Sequence, residues 1–299
     1  MRPIILLLIT VFLFSCSKSE NDSLVPPQQP KLLVKFIRFD TTRPAGLDTV
    51  SRTIIQYDGR NRPVHWSFLG MSPDGSPYYL NEQQYFYNGN DTFAYQTIDI
   101  TKIIGTNPPY EGDTTHYTFA NGRLVRDSIF STRNATGEQY YQARSYSFVG
   151  NTVVMNAYID YYATPFTRTS NIYQTISGGN IIYQLDTAIS ISSGSPFQYI
   201  RTEQSATYLP NDNPMARISN PIRKPELESH SRFSLFRNFT TKLPESHSWE
   251  RSIWAPGSSV DESLFNINYT YEFDADGLPL IMRELWQNGD QFKSIFIYQ

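Results

Sequence analysis

The sequence predicts an all-β protein, a long antiparallel meander of hairpin repeats curled into a half-barrel or barrel-like sheet. Three observations carry this. The chain of 299 residues holds 21 Tyr, 19 Phe and 4 Trp against 18% charged residues, and bulky aromatic side chains favour the pleated surface of a strand. Apolar residues alternate with polar ones at period two, and no stretch sustains the 3.6-residue period of an amphipathic helix. Turn signals recur at a nearly fixed spacing, the mark of a repeat architecture.

At the N-terminus, Arg2 precedes an apolar run from Ile4 to Phe14 interrupted only by Thr10. The run is shorter than the roughly 20 residues a membrane-spanning helix requires. Its length and charged start fit the h-region of a secretory signal. The single cysteine, Cys16, stands where this run ends, in Leu13-Phe14-Ser15-Cys16. Residues 17–30 then read as small, polar and proline-bearing, unable to bury enough apolar area to order themselves. The expected organisation is a signal peptide over 1–15, the cysteine and a disordered tether over 16–30, and one β domain over 31–299. An irregular insertion is expected around 214–260, where Pro214, Pro221 and Pro225 interrupt the pattern.

Within the β domain three segments show the alternation. In NIIYQLDTAISI, Ile181, Tyr183, Leu185, Ile189 and Ile191 share a face opposite Gln184, Asp186 and Ser190. In SLFNINYTYEF, Phe265, Ile267, Tyr269, Tyr271 and Phe273 oppose Asn266, Asn268, Thr270 and Glu272. In PVHWSFL, Val64, Trp66 and Phe68 oppose His65 and Ser67. Each is expected to bury its apolar face and wet the other, as antiparallel sheets do. Between strands come Tyr57-Asp58-Gly59, Tyr87-Asn88-Gly89, Phe119-Ala120-Asn121-Gly122, Phe148-Val149-Gly150, Gly178-Gly179-Asn180 and Phe273-Asp274-Ala275-Asp276-Gly277. Asn, Asp and Gly tolerate the positive φ of tight hairpin turns. Gly59, Gly89, Gly122, Gly150 and Gly179 are separated by 30, 33, 28 and 29 residues, one hairpin per period. A sheet of roughly 14–18 twisted strands cannot stay flat.

The end of the apolar run resembles the lipobox of bacterial lipoproteins, which implies cleavage before Cys16 and acylation of its new N-terminus. Several acyl chains on one residue imply stable anchoring. The stretch Ser17-Lys18-Ser19-Glu20-Asn21-Asp22 resembles the acidic export signal of Bacteroidota surface lipoproteins, which implies an outer-membrane location facing the cell surface. The Tyr-Asp-Gly-Arg and Phe-x-Asn-Gly-Arg-Leu turns resemble Tyr–Asp (YD-type) repeats of Bacteroidota outer-membrane lipoproteins. That resemblance implies the hairpin meander and brings no activity with it. Recurrent Asp-Ser/Thr triplets, among them Asp40-Thr41-Thr42, Asp113-Thr114-Thr115 and Asp186-Thr187-Ala188, resemble the O-glycosylation site of secreted proteins of that group.

Loss of Arg2 moves the net charge from −3 to −4, and no basic block is present, so nucleic acid is not an expected partner. Catalytic and metal motifs are lacking. His65, His116, His230 and His247 show no ligand spacing, and Asp274-Ala275-Asp276-Gly277 lacks the full ligand set of a calcium loop. Carboxylates such as Asp99, Asp160 and Glu250 are scattered, with nothing to pair two of them as a glycosidase requires. The sequence therefore predicts no catalytic residue, no metal and no cofactor. Trp249 and Trp254, read as lying beside a loop in the insertion, are the candidate ligand-binding residues, because loops on a repetitive scaffold carry binding chemistry. The expected function is a non-enzymatic, lipid-anchored envelope protein that binds a glycan or an envelope protein. The alternatives are a periplasm-facing carrier sheltering an apolar ligand in a half-barrel, and a glycan-acting hydrolase.

Overall fold

A computed structural model describes residues 31–299 apart from 47, 106–110, 133–138, 151, 162–163, 179, 215, 217–240 and 259. The barrel unit spans Leu32–Gln299. Its strands are β1 (Leu33–Asp40), β2 (Thr49–Tyr57), β3 (Pro63–Met71), β4 (Pro77–Tyr87), β5 (Ala94–Ile103), β6 (Glu111–Ala120), β7 (Arg123–Thr132) and β8 (Gln139–Val149). They continue as β9 (Thr152–Tyr161), β10 (Thr164–Ser177), β11 (Asn180–Ser192), β12 (Ser195–Asp212), β13 (Lys242–Trp254), β14 (Asp261–Phe273), β15 (Pro279–Trp286) and β16 (Gln291–Tyr298). Every strand pairs antiparallel with its sequence neighbours, and β1 pairs with β16 to close the sheet. Closure removes the two edges that an open meander would leave unpaired. The expected meander of hairpins is present, and it is a complete barrel of 16 strands rather than a half-barrel.

Simple up-and-down topology sorts the turns. The six turn signals all fall at one end of the barrel, between β2 and β3, β4 and β5, β6 and β7, β8 and β9, β10 and β11, and β14 and β15. The chain also enters and leaves the barrel at this end, where the backbones of Leu32 and Gln299 exchange two hydrogen bonds. Asp58 and Asp274 build the same turn. In each, the aspartate N–H donates to a carbonyl four residues on, and Oδ1 accepts from the backbone N–H two and four residues on. The positive φ falls on Asn61 in the first turn and on Gly277 in the second. Between β6 and β7, Asn121 and Gly122 both take positive φ, as the two-residue hairpin turn demands.

The aromatic residue that precedes these turns has its own purpose. Tyr57, Tyr87, Tyr208, Tyr271 and Tyr298 lie at or within a few residues of the end of an even-numbered strand, and each hydroxyl donates to the backbone carbonyl at or near the start of the preceding strand. The acceptors are Leu33, Pro63, Ile181, Pro244 and Pro279, at 2.7–2.8 Å. Phe119 and Phe148 stand at the corresponding places of β6 and β8 without a hydroxyl. Burial drives the hydroxyl pKa of Tyr87, Tyr208 and Tyr298 upward, so these clasps stay protonated donors.

Two expectations need correction. Residues 242–254 belong to no irregular insertion: they form β13, paired along its length with β12 and β14. The strand escaped sequence reading because its inward residues, His247, Trp249 and Arg251, are not uniformly apolar. The remainder of the expected insertion lies largely outside the described residues. The second correction concerns β11. There Tyr183, Leu185, Ile189 and Ile191 point outward, and Gln184, Asp186, Ala188 and Ser190 point inward. In β14 and β3 the expected faces hold: Ile267, Tyr269 and Trp66 are buried inside. The reason is the girth of the barrel. Side chains from a wall of this many strands cannot fill the lumen as they fill an eight-stranded one, so the inner face is not obliged to be apolar.

Candidate functional site

The lumen has an apolar sector and a polar sector. The apolar sector lines β1–β5 and β14–β16, where Phe36, Ile55, Trp66, Tyr85, Ile267, Met282, Trp286, Phe292 and Phe296 form one buried cluster. Embedded in it is the ion pair of Arg38 and Glu284, which are 4% and 2% exposed. Arg38 Nε donates to Oε1 at 3.1 Å and Nη2 to Oε2 at 2.7 Å. Trp286 Nε1 donates to Oε2 at 3.1 Å, and the guanidinium lies 3.7 Å from the centroid of the Phe292 ring. The pair reaches from β1 to β15 across β16 and so fastens the seam where the barrel closes.

Polar inward residues begin on β5, beside a second apolar cluster of Tyr117, Leu124, Tyr146, Val153, Met155 and Ile172 on β6–β10. Asp99 and Asp113 are directly opposed across β5 and β6 and face inward. Gln83 Nε2 donates to Asp99 Oδ1 at 2.5 Å, and Thr97 Oγ1 donates to Oδ2 at 3.3 Å. Burial pushes the Asp113 carboxyl above the usual carboxylate range. On β7 and β8, Arg144 Nε and the Tyr146 hydroxyl both donate to Asp127, at 2.8 and 2.9 Å.

Across β10–β14 the register stacks inward polar residues in rows. One row runs Gln174, Gln184, Gln204, Trp249, Phe265. The next runs Ile172, Asp186, Thr202, Arg251, Ser263, and the third Ser170, Ala188, Ile200, Ile253, Asp261. Arg168, Ser190 and Gln198 follow towards the far mouth. Gln174 Nε2 donates to Gln184 Oε1 at 2.9 Å. His247 Nε2 lies 3.3 Å from Gln204 Oε1; burial holds this histidine neutral, its pKa lowered to about 3. Arg168 Nε, Ser170 Oγ, Gln204 Nε2 and Trp249 Nε1 are buried with no hydrogen-bond partner among the described residues. So are Ser51 Oγ and Ser294 Oγ elsewhere in the lumen. A buried polar atom without a partner costs about 1–3 kcal/mol, so this wall is built for water or a polar guest, not for a dry core.

The residues singled out from the sequence are placed as follows. Trp249 is inward, 6% exposed, and stacked on Phe265 with ring centroids 4.7 Å apart. Trp254 lies on the same strand but on the outer wall, stacked on Tyr199 at 5.6 Å. The two tryptophans do not form one site, and neither sits on a loop. Asp99 faces the lumen, whereas Asp160 and Glu250 sit on outward strand positions, so those three carboxylates are not brought together. His65 is outward, 3.8 Å from Glu82, and His116 is exposed. Glu284 is far from any calcium loop, being the buried partner of Arg38. Among the described residues no group of three or more His, Cys, Asp or Glu could hold a metal. Cys16 and His230 lie outside the described residues. Sequence reading missed Arg38, Glu284, Arg168, Arg251 and the glutamine row. The glutamines lie on different strands, and only register aligns them.

The outer wall carries charged and polar residues at mid-height. Arg52, Glu82, Arg126, Asn156, Thr169, Thr187, Arg201, Glu203, Glu250, Asn266, Asn268 and Arg283 occupy the central outward positions of their strands. Exposed apolar residues share this face, some toward the rims, as with Tyr78, Phe130 and Phe197, and others at mid-strand, as with Ile54, Tyr173 and Ile189.

No protein-family profile matches the chain, and no curated protein is similar to it in sequence. Solved structures that match the chain include two porin-like proteins. A porin-like protein from Bacteroides vulgatus ATCC 8482 has a TM-score of 0.49 and 13% identity, over 90% of this chain and 99% of that one. A porin-like protein from Bacteroides uniformis ATCC 8492 has a TM-score of 0.34 and 11% identity, over the same shares.

Proposed function

We propose that the protein is a non-enzymatic binding barrel of the outer membrane, held by acyl chains on Cys16 and displayed at the cell surface with its wall in water. The observation that carries this reading is the set of charged side chains at mid-height on the outer wall. Arg or Lys on the lipid face of a membrane barrel costs about 2–4 kcal/mol at the midplane, and Asp or Glu somewhat less. Arg52, Glu82, Arg126, Arg201, Glu203, Glu250 and Arg283 would all bear such a cost. No helix among the described residues is long and apolar enough to cross a membrane. The lipobox supplies the attachment that the wall does not. A polar inner wall on a closed barrel suits capture of a polar ligand better than carriage of an apolar one. The lumen offers no paired catalytic carboxylates from the set the sequence raised.

Cell fractionation of the Cys16→Ser variant tests the reading. Release of the folded barrel into the soluble periplasmic fraction, with the wild type in outer membranes, is the expected result. Retention of the variant in the membrane, resistant to carbonate, would mean that the barrel itself is embedded and would end the proposal. Protease shaving of intact cells, with a periplasmic control, reports the leaflet: loss of the protein supports surface display, and protection rejects it.

A further inference from the structure

We infer that the lumen wall of β10–β13 is a binding surface for an acidic saccharide, its carboxylate taken by Arg168 and Arg251 and its hydroxyls by the amide and hydroxyl groups between them. The inference rests on the reading of the barrel as a binding module and names its ligand class.

Four features of this wall converge. The first is a group of buried donors. Arg168 Nε, Ser170 Oγ, Gln204 Nε2 and Trp249 Nε1 are all N–H or O–H groups without an acceptor among the described residues. Ser170 and Gln204 are 0% and 2% exposed, so these are built-in positions rather than surface side chains. A set of unsatisfied donors is completed by a ligand rich in acceptors.

The second is charge. Arg168 and Arg251 sit three strands apart on one inner wall. Burial lowers the Arg251 pKa, Arg168 adds to the effect, and Asp261 and Asp186 oppose it. A ligand carboxylate placed between the guanidiniums would relieve their repulsion and could take bidentate hydrogen bonds.

The third is space. Arg168 is flanked across the sheet by Ala157 and Ser190, and Ser170 by Ala188. These small side chains do not crowd the guanidinium, although Met155 flanks Ser170 on its other side.

The fourth separates a sugar from a simple anion. Gln174, Gln184 and Gln204 stand in one row with neighbouring strands about 4.8 Å apart, ending on the indole of Trp249 and the ring of Phe265. Amides that give and accept hydrogen bonds at regular spacing match successive ring hydroxyls, and the aromatic pair continues the same row. His247 fixes the direction of the Gln204 amide, oxygen toward the histidine and NH2 toward the free side.

The test is a glycan array probed with the mature lipidated chain purified in detergent, followed by titration of intrinsic tryptophan fluorescence. Trigalacturonic acid, maltotriose and inorganic phosphate serve as acidic, neutral and simple-anion probes. Expected are array hits among acidic saccharides, a fluorescence response to trigalacturonic acid, and none to maltotriose or phosphate. The Arg168→Gln/Arg251→Gln variant should bind at least about tenfold more weakly, whereas Arg168→Lys/Arg251→Lys, which keeps the charge, should retain part of the affinity. Matching circular dichroism spectra establish that both variants fold. Hits confined to neutral glycans, no hits at all, a response to phosphate equal to that for the acidic sugar, or unchanged binding by the glutamine variant would each overturn the inference. None of these bears on where Cys16→Ser fractionates, so failure of the ligand class and failure of the anchored-barrel reading are separable.

Discussion

Replacing Glu284 by alanine would leave Arg38 charged and sealed inside the wall. The guanidinium is 4% exposed, both its bonds to Glu284 disappear, and Trp286 Nε1 loses its acceptor. Removing one member of a buried ion pair costs about 3–5 kcal/mol. A loss of about 4 kcal/mol is therefore expected. At about 2–4 °C per kcal/mol for a large domain, it would lower the melting temperature by about 10 °C. The effect should be concentrated at the seam, because the pair ties β1 to β15 across β16. Urea unfolding followed by circular dichroism measures the loss, and hydrogen exchange at β1 and β16 shows whether the seam opens first. Arg38→Met/Glu284→Leu is the control. It removes both charges among Phe36, Met282, Phe292 and Phe296 and should recover most of the stability, since apolar replacement of a whole buried pair is often neutral or better. A Glu284→Ala midpoint equal to wild type would refute the reasoning, for it would mean that lumen water already solvates Arg38. A double variant as unstable as the single one would refute it equally.

Three further outcomes are expected. Tyr87→Phe removes the hydroxyl that donates to Pro63 O at 2.7 Å and should cost about 1 kcal/mol; removing all five clasp hydroxyls should raise hydrogen exchange at the turn end of the barrel while leaving the opposite end protected. His247 has its pKa lowered by burial from 6.5 to about 3, so between those values the unfolded chain binds the extra proton. Stability from this group is thus full above pH 6.5 and declines as pH falls toward 3, and His247→Gln should flatten that limb in pH-dependent urea midpoints. Burial opposes the Asp58 carboxylate, but the backbone N–H groups of Arg62 and Arg60 and the Arg62 side chain outweigh it and hold its pKa low. Asp58→Ala should therefore cost about 1 kcal/mol at neutral pH and progressively less as the pH falls through the folded pKa, which a series of thermal melts from pH 7 downward would reveal.

Much of the barrel was legible in the chain because hairpin turns are local. Asp58, Asn121 and Gly122 specify their turns through their own side chains or their tolerance of positive φ, and the spacing of about 30 residues between glycines is one pair of strands whatever the pair packs against. β14 and β3 could be assigned a buried face for a similar reason: their apolar residues alternate cleanly and do lie inside. β11 alternates as cleanly and yet turns its apolar face outward. Nothing within the segment distinguishes the two cases, because alternation states that a strand has two unlike faces and not which one meets the lumen. β13 was hidden for the converse reason, its inward face being His247, Trp249 and Arg251.

The candidate site shows the same division. Trp249 could be named from its residue type, but its partners could not. Gln174, Gln184 and Gln204 become one row only through the register of β10, β11 and β12, and Arg38 meets Glu284 only because β1 pairs with β16. The chain by itself determined the strands, their turns and the end at which those turns gather, since each depends on residues a few positions apart. Closure, and with it the polarity of the lumen, was decided by tertiary structure alone. A sheet of 16 strands closes around a space its side chains cannot fill, and the inner face is then free to be polar.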